Sequence, residues 1–96
     1  MYHVEFTKNA LKQLKKMDKS SASLILGWIR KNIEGCDNPR IHGKGLTANR
    51  SGQWRYRVGD YRIIAEIGDD KVIVLAAFHT AIDINKITRY LRGLTY

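Results

Sequence analysis

Residues 54–79 read as three short strands joined by two turn signals, and this block leaves the rest of the chain few choices. Trp54–Val58 alternates apolar with basic side chains, Gly59-Asp60 is a two-residue turn signal, and Tyr61–Ile67 is a second strand. Asp69-Asp70 makes the next turn, and Val72–His79 is the third strand. Successive side chains on a strand point to opposite faces. A two-residue turn at Gly59-Asp60 then pairs Val58 with Tyr61, Arg57 with Arg62 and Arg55 with Ile64. The same rule at Asp69-Asp70 pairs Arg62 with Ala77 and Ile64 with Leu75. One face collects Trp54, Tyr56, Val58, Tyr61, Ile63, Ala65, Ile67, Val72, Val74, Ala76 and Phe78 and is fit for burial. The other carries Arg55, Arg57, Arg62, Glu66 and His79 around Ile64, Ile73 and Leu75. A slip of one residue would throw the whole apolar set into water, so the register is firmly specified.

The elements around the block follow from spacing. Tyr2–Phe6 alternates and reads as a first strand. Thr7 is the expected N-cap of a helix whose apolar stripe is Ala10, Leu11, Leu14 and Met17, with lysines on its other faces. Ser20 or Ser21 is the expected cap of a second helix bearing Ala22, Ile25, Leu26, Trp28, Ile29 and Ile33 and ending near Gly35. So short a joint makes the two an αα-hairpin. Residues 34–53 have no periodicity and read as a long loop carrying Arg40, His42, Lys44 and Arg50. Loops of that length in a compact domain often carry function. Asp83 is placed to cap a last short helix over 83–94, expected to be mobile. The expected fold is α+β: an antiparallel meander with helices on one face, in the order β-α-α-β-β-β-α.

The chain has 96 residues, enough for one domain, with no linker or repeat, so residues 1–96 are expected to be a single unit. No apolar run approaches a membrane span and the first residues do not form a secretory signal. One cysteine, Cys36, has no CxxC or Cys/His companion, which leaves no disulfide scaffold or structural zinc and points to a reducing cytoplasm. Seventeen Lys and Arg against nine Asp and Glu give a net charge of +8, which suits a polyanionic partner.

Where the charges fall sharpens this. Like charges directly opposed across strands are destabilising, so Arg57 beside Arg62 is a local cost with no folding benefit. Three guanidiniums on one sheet face offer planar forks suited to phosphate oxygens. Phosphodiester cleavage needs charge stabilisation, a base and an acid. The arginines supply the first. His79 is the histidine that the register places among them, and imidazole suits proton transfer. His42 lies in the basic loop within reach of a phosphate, and His3 reads as structural. No GxxxxGK[ST], GxSxG or HExxH motif and no metal-ligand cluster is present, so neither metal nor cofactor is expected. A nuclease of this kind uses the substrate's own 2′-hydroxyl, which restricts it to RNA and leaves a 2′,3′-cyclic phosphate.

The segments YHVEFTKNALKQLKKMDK, GQWRYRVGDYRIIAEIGDDKVIVL (residues 52–75) and FHT together resemble the RelE/ParE superfamily of bacterial toxins, and within it the RelE branch. The middle block is similar to that family's YRxRxGDYRxxYxxxDD core. The resemblance implies a RelE-like fold. It also implies a toxin of a type II toxin–antitoxin pair that enters the ribosomal A site, contacts 16S rRNA and cuts mRNA there as an endoribonuclease, so inhibiting translation. The partner it implies is a small acidic, RelB-like antitoxin, bound as a heterodimer or heterotetramer, with no membrane involved. On the family's pattern, Arg55, Arg57, Arg62 and His79 fall on catalytic positions. Lys44 before Leu46 resembles the loop lysine of the K-x-L stretch, and Arg40, His42 and Arg50 join it as RNA-binding candidates. The chain departs from the pattern at Thr80, where an arginine is common, and lacks a tyrosine a few residues later. The alternative is a ParE-like toxin that binds DNA gyrase without cutting RNA.

Overall fold

A computed structural model describes residues 1–45 and 53–80. It contains β1 (His3–Phe6), α1 (Lys8–Lys16), α2 (Lys19–Asn32), a 3₁₀ turn (Pro39–Ile41), β2 (Lys44–Gly45), β3 (Gln53–Val58), β4 (Tyr61–Ile67) and β5 (Lys71–His79). The sheet order is β1-β5-β4-β3-β2. The fold is α+β, as the sequence indicates, with two additions. β1 pairs parallel to β5, so the sheet is mixed at that edge, and β2 adds a fifth strand inside the segment that reads as loop. The helix expected over 83–94 lies outside the described residues.

The helices start where polar side chains satisfy their free amides. Thr7 caps α1, its Oγ1 accepting from Ala10 N at 3.1 Å. The cap of α2 is Asp18, not Ser20 or Ser21. Its carboxylate accepts from Ser21 N at 3.0 Å and Ser21 Oγ at 2.8 Å, and these bonds hold its pKa below the usual aspartate value. A carboxylate also suits the positive end of a helix better than a hydroxyl does.

Ala10, Leu14, Ile25, Ile29 and Ile33 pack on Tyr56, Val58, Ile63, Ala65, Ile67, Val72, Val74 and Ala77 to form the main core. Leu11 and Leu26, which spacing assigns to the apolar stripes, are exposed.

The turn at Gly59-Asp60 forms as expected, with Gly59 at φ 57°, and β3 pairs with β4 in the expected register: Arg57 with Arg62, Arg55 with Ile64. The β4–β5 register follows expectation only from Ile67↔Val72 to Ala65↔Val74. There β5 carries one extra residue, Leu75, and pairing resumes as Ile64↔Ala76, Arg62↔Phe78 and Tyr61↔His79. The bulge has a physical cause. β1 ends its pairing at Phe6↔Val74, and α1 takes over the exposed backbone of β5. Thr7 Oγ1 donates to Leu75 O at 3.2 Å, and Ala77 N donates to Gln13 Oε1 at 2.8 Å. Beyond a bulge the faces exchange. Ala76 and Phe78 therefore join Ile64 and Leu75 in a second buried cluster on the arginine face, and Ala77 goes to the helix side.

Candidate anion-binding site

β3 places Arg55 and Arg57 on one face because they alternate with the buried Tyr56 and Val58. β4 brings Arg62 opposite Arg57. Lys44 of β2 pairs with Arg55 and so emerges on the same face. Gly43, Lys44, Arg55, Arg57 and Arg62 line one open cleft of about 300 Å³. Gly43 has φ 69°, and a Cβ there would overlap Arg55 O, so only glycine lets the backbone of this wall approach β3 so closely.

Arg62 is the unusual member. Its Nη1 is buried with no hydrogen-bond partner. Burial first, then the neighbouring charges of Arg57 and Arg55, hold its pKa below the usual arginine value. An unpaired buried donor is costly, and a charged one more so. Glu5, one acid available for neutralisation, is instead paired with Lys71 at 3.2 Å. The polar side chains that line it are all cationic donors, so the cleft suits an oxyanion bearing several acceptor oxygens and repels a metal cation.

The other candidates lie elsewhere. His79 pairs with Tyr61, and the two rings pack edge to face at 5.2 Å on the helix side of the sheet. Tyr61 is fixed there by donating its hydroxyl proton to Ser21 Oγ of α2 at 2.9 Å. The Leu75 bulge thus removes His79 from the arginine group, against the expectation of unbroken alternation. The His42 ring packs on Trp28 of α2 at 5.6 Å. Arg40 lies in the 3₁₀ turn, near the Tyr56 hydroxyl, and does not line the cleft. His3 Nδ1 donates to the Glu34 carboxylate at 3.0 Å, a structural contact. Arg50 lies outside the described residues. Sequence reading missed Gly43 and β2.

Comparison with known proteins gives the family and the fold. The profile of the family described as ParE toxin of type II toxin-antitoxin system, parDE, matches residues 4–84. The toxin–antitoxin complex RelBE2 of Mycobacterium tuberculosis superposes with a TM-score of 0.73 at 26% identity, over 81% of this chain and 96% of that one. The isolated Escherichia coli RelE toxin gives 0.70 at 17% identity, over 96% and 98%. The archaeal RelE–RelB complex of Pyrococcus horikoshii OT3 gives 0.64 at 24% identity, over 85% and 98%. A comparison with curated protein sequences found no match.

Proposed function

The chain belongs to the ParE toxin family of type II toxin–antitoxin systems, and from its arginine cleft on a fold shared with RelE toxins we propose that it intoxicates by cutting mRNA at the ribosomal A site, as a metal-independent endoribonuclease. The observation that carries this is the gathering of Arg55, Arg57, Arg62 and Lys44 on one cleft, with a buried nitrogen of Arg62 left without a hydrogen-bond partner. A scissile phosphate supplies the missing acceptor. The 2′-hydroxyl gives up its proton to solvent water as its oxygen attacks phosphorus, charge builds on the phosphoryl oxygens, and the three guanidiniums stabilise that charge where it develops. The P–O5′ bond breaks, leaving a 2′,3′-cyclic phosphate and a 5′-hydroxyl. Arginine does not release its proton in ordinary circumstances. Of the lining cations, Lys44 is therefore the group assigned to protonate the leaving 5′-oxygen. His79, on the other face, takes no part.

The toxin's inhibitor on this reading is an acidic, RelB-like antitoxin, bound as a heterodimer or heterotetramer, and the site of action is the cytoplasmic ribosome with its 16S rRNA. Primer extension on mRNA during induced expression tests it. New ends inside coding sequence are expected with the wild-type chain and not with Arg57→Ala. A second reading, binding of DNA gyrase without RNA cleavage, is favoured by the matched family's description as a ParE toxin. Intact transcripts with DNA damage and filamentation would select it and overturn the first.

A further inference from the structure

One wall of the cleft is a short segment with little secondary structure of its own, yet it is fastened at three points. The Tyr56 hydroxyl, buried in the core, donates to Pro39 O at 2.8 Å. Trp54 Nε1 donates to His42 O. The half-buried His42 ring stands edge to face on Trp28, 5.6 Å between centroids at 75°. Trp28 is itself held against Tyr56 at 5.5 Å. Directly after His42 the chain turns through Gly43 at positive φ, and the next side chain, Lys44, emerges beside Arg55 on the opposite side of the sheet.

We infer that His42 and Trp28 are positioning residues for the phosphate cleft. Their ring contact on the helix side fixes the β2 segment so that Lys44 is delivered into the arginine group, and neither ring touches the bound phosphate. The inference rests on reading the cleft as a phosphate site, and it gives His42 a role through its shape and not its charge. β2 pairs through only two residues, too short a strand to hold its own register. Remove the ring contact and the segment keeps only its backbone ties at Pro39 and His42, so Lys44 is held less firmly, while Arg55, Arg57 and Arg62 stay where the β3–β4 hairpin sets them.

The test compares His42→Ala with His42→Phe, which keeps an aromatic ring and removes the titrating nitrogens, and Trp28→Phe serves as the milder probe of the other partner. The first readout is binding of a 2′-O-methyl RNA oligonucleotide, which cannot be cleaved, as a function of salt. Each phosphate contact on a single strand contributes roughly 0.7 to the slope of log K against log salt. His42→Ala and Lys44→Gln are each expected to lose about that much, and the double variant no more than either alone, because the two act through one contact. His42→Phe is expected to bind as wild type at pH 5.5 and 7.5 alike. Additive losses, or failure of His42→Phe to rescue, would overturn the inference. The second readout needs no RNA: amide exchange of residues 43–45 should speed up in His42→Ala and not in His42→Phe, with β4 and β5 unchanged. If RNA is bound but not cut and both the slopes and this exchange pattern hold, the ribonuclease reading fails and the positioning stands; if RNA is not bound at all, both fall. If RNA is cut and all variants match wild type in slope and exchange, the positioning fails and the ribonuclease reading stands.

Discussion

Arg57 and Arg62 face one another directly across the β3–β4 hairpin, and a buried nitrogen of Arg62 is left without a hydrogen-bond partner. Two cations opposed on adjacent strands stabilise nothing by themselves. The arrangement becomes favourable only when an anion lies between them.

Arg62→Met should therefore remove RNA cleavage and toxicity without weakening the fold. Opposed like charges cost roughly 0.2–1 kcal/mol, and about 1 kcal/mol moves Tm by roughly 4–8 °C in a domain of this size. A rise of roughly 1–8 °C by calorimetry is expected. A fall would mean that Arg62 holds the sheet together.

Sulfate or phosphate should raise Tm beyond the effect of sodium chloride at equal ionic strength. Ligand at about 100 times its dissociation constant stabilises by about 2.7 kcal/mol. The excess should vanish in Arg62→Met. An equal response in both proteins would indicate general salt effects.

Gly43→Ala forces a Cβ against Arg55 O at a positive φ. A non-glycine residue held there costs on the order of 1–3 kcal/mol. A loss of that size in urea unfolding is expected, together with weaker RNA binding. Wild-type stability would mean that β2 pairs differently in solution.

The Glu34 carboxylate accepts from Val4 N at 3.0 Å and pairs with His3, and these contacts hold its pKa below the usual glutamate range. The stability it contributes is present above the unfolded-chain value, about 4.3, and is lost as pH falls through the lower folded value. Glu34→Gln should lower Tm at pH 7, and the gap to wild type should close in acid below about pH 4. A gap that stays constant with pH would assign the effect to packing.

His79→Gln should leave sulfate binding and RNA cleavage unchanged. Its ring contact with Tyr61 is of a kind worth about 0.5–1.5 kcal/mol, so a small drop in Tm is the expected result. Loss of cleavage in a folded variant would return the histidine to the chemistry.

The hairpin holding Arg55, Arg57 and Arg62 was legible because a two-residue turn and strict alternation are local properties of the sequence. The position of His79 was not. It depends on the Leu75 bulge, which is held by Thr7 and Gln13 from α1, more than sixty residues away in sequence. β2 was illegible for a different reason. Two residues carry no periodicity, and the register of Lys44 is set by what Trp28, Trp54 and Tyr56 do to the backbone before it.

In an ordinary strand, losing one residue reverses every side chain beyond the gap. β5 has a spare at Leu75: the pairings on either side, Ala65↔Val74 and Ile64↔Ala76, would become continuous without it. A relative shorter by that one residue would keep Phe78 beside Arg62 and His79 beside Tyr61. Single-residue length variation in this strand should therefore concentrate at Leu75 and leave the chemistry of the opposite hairpin untouched.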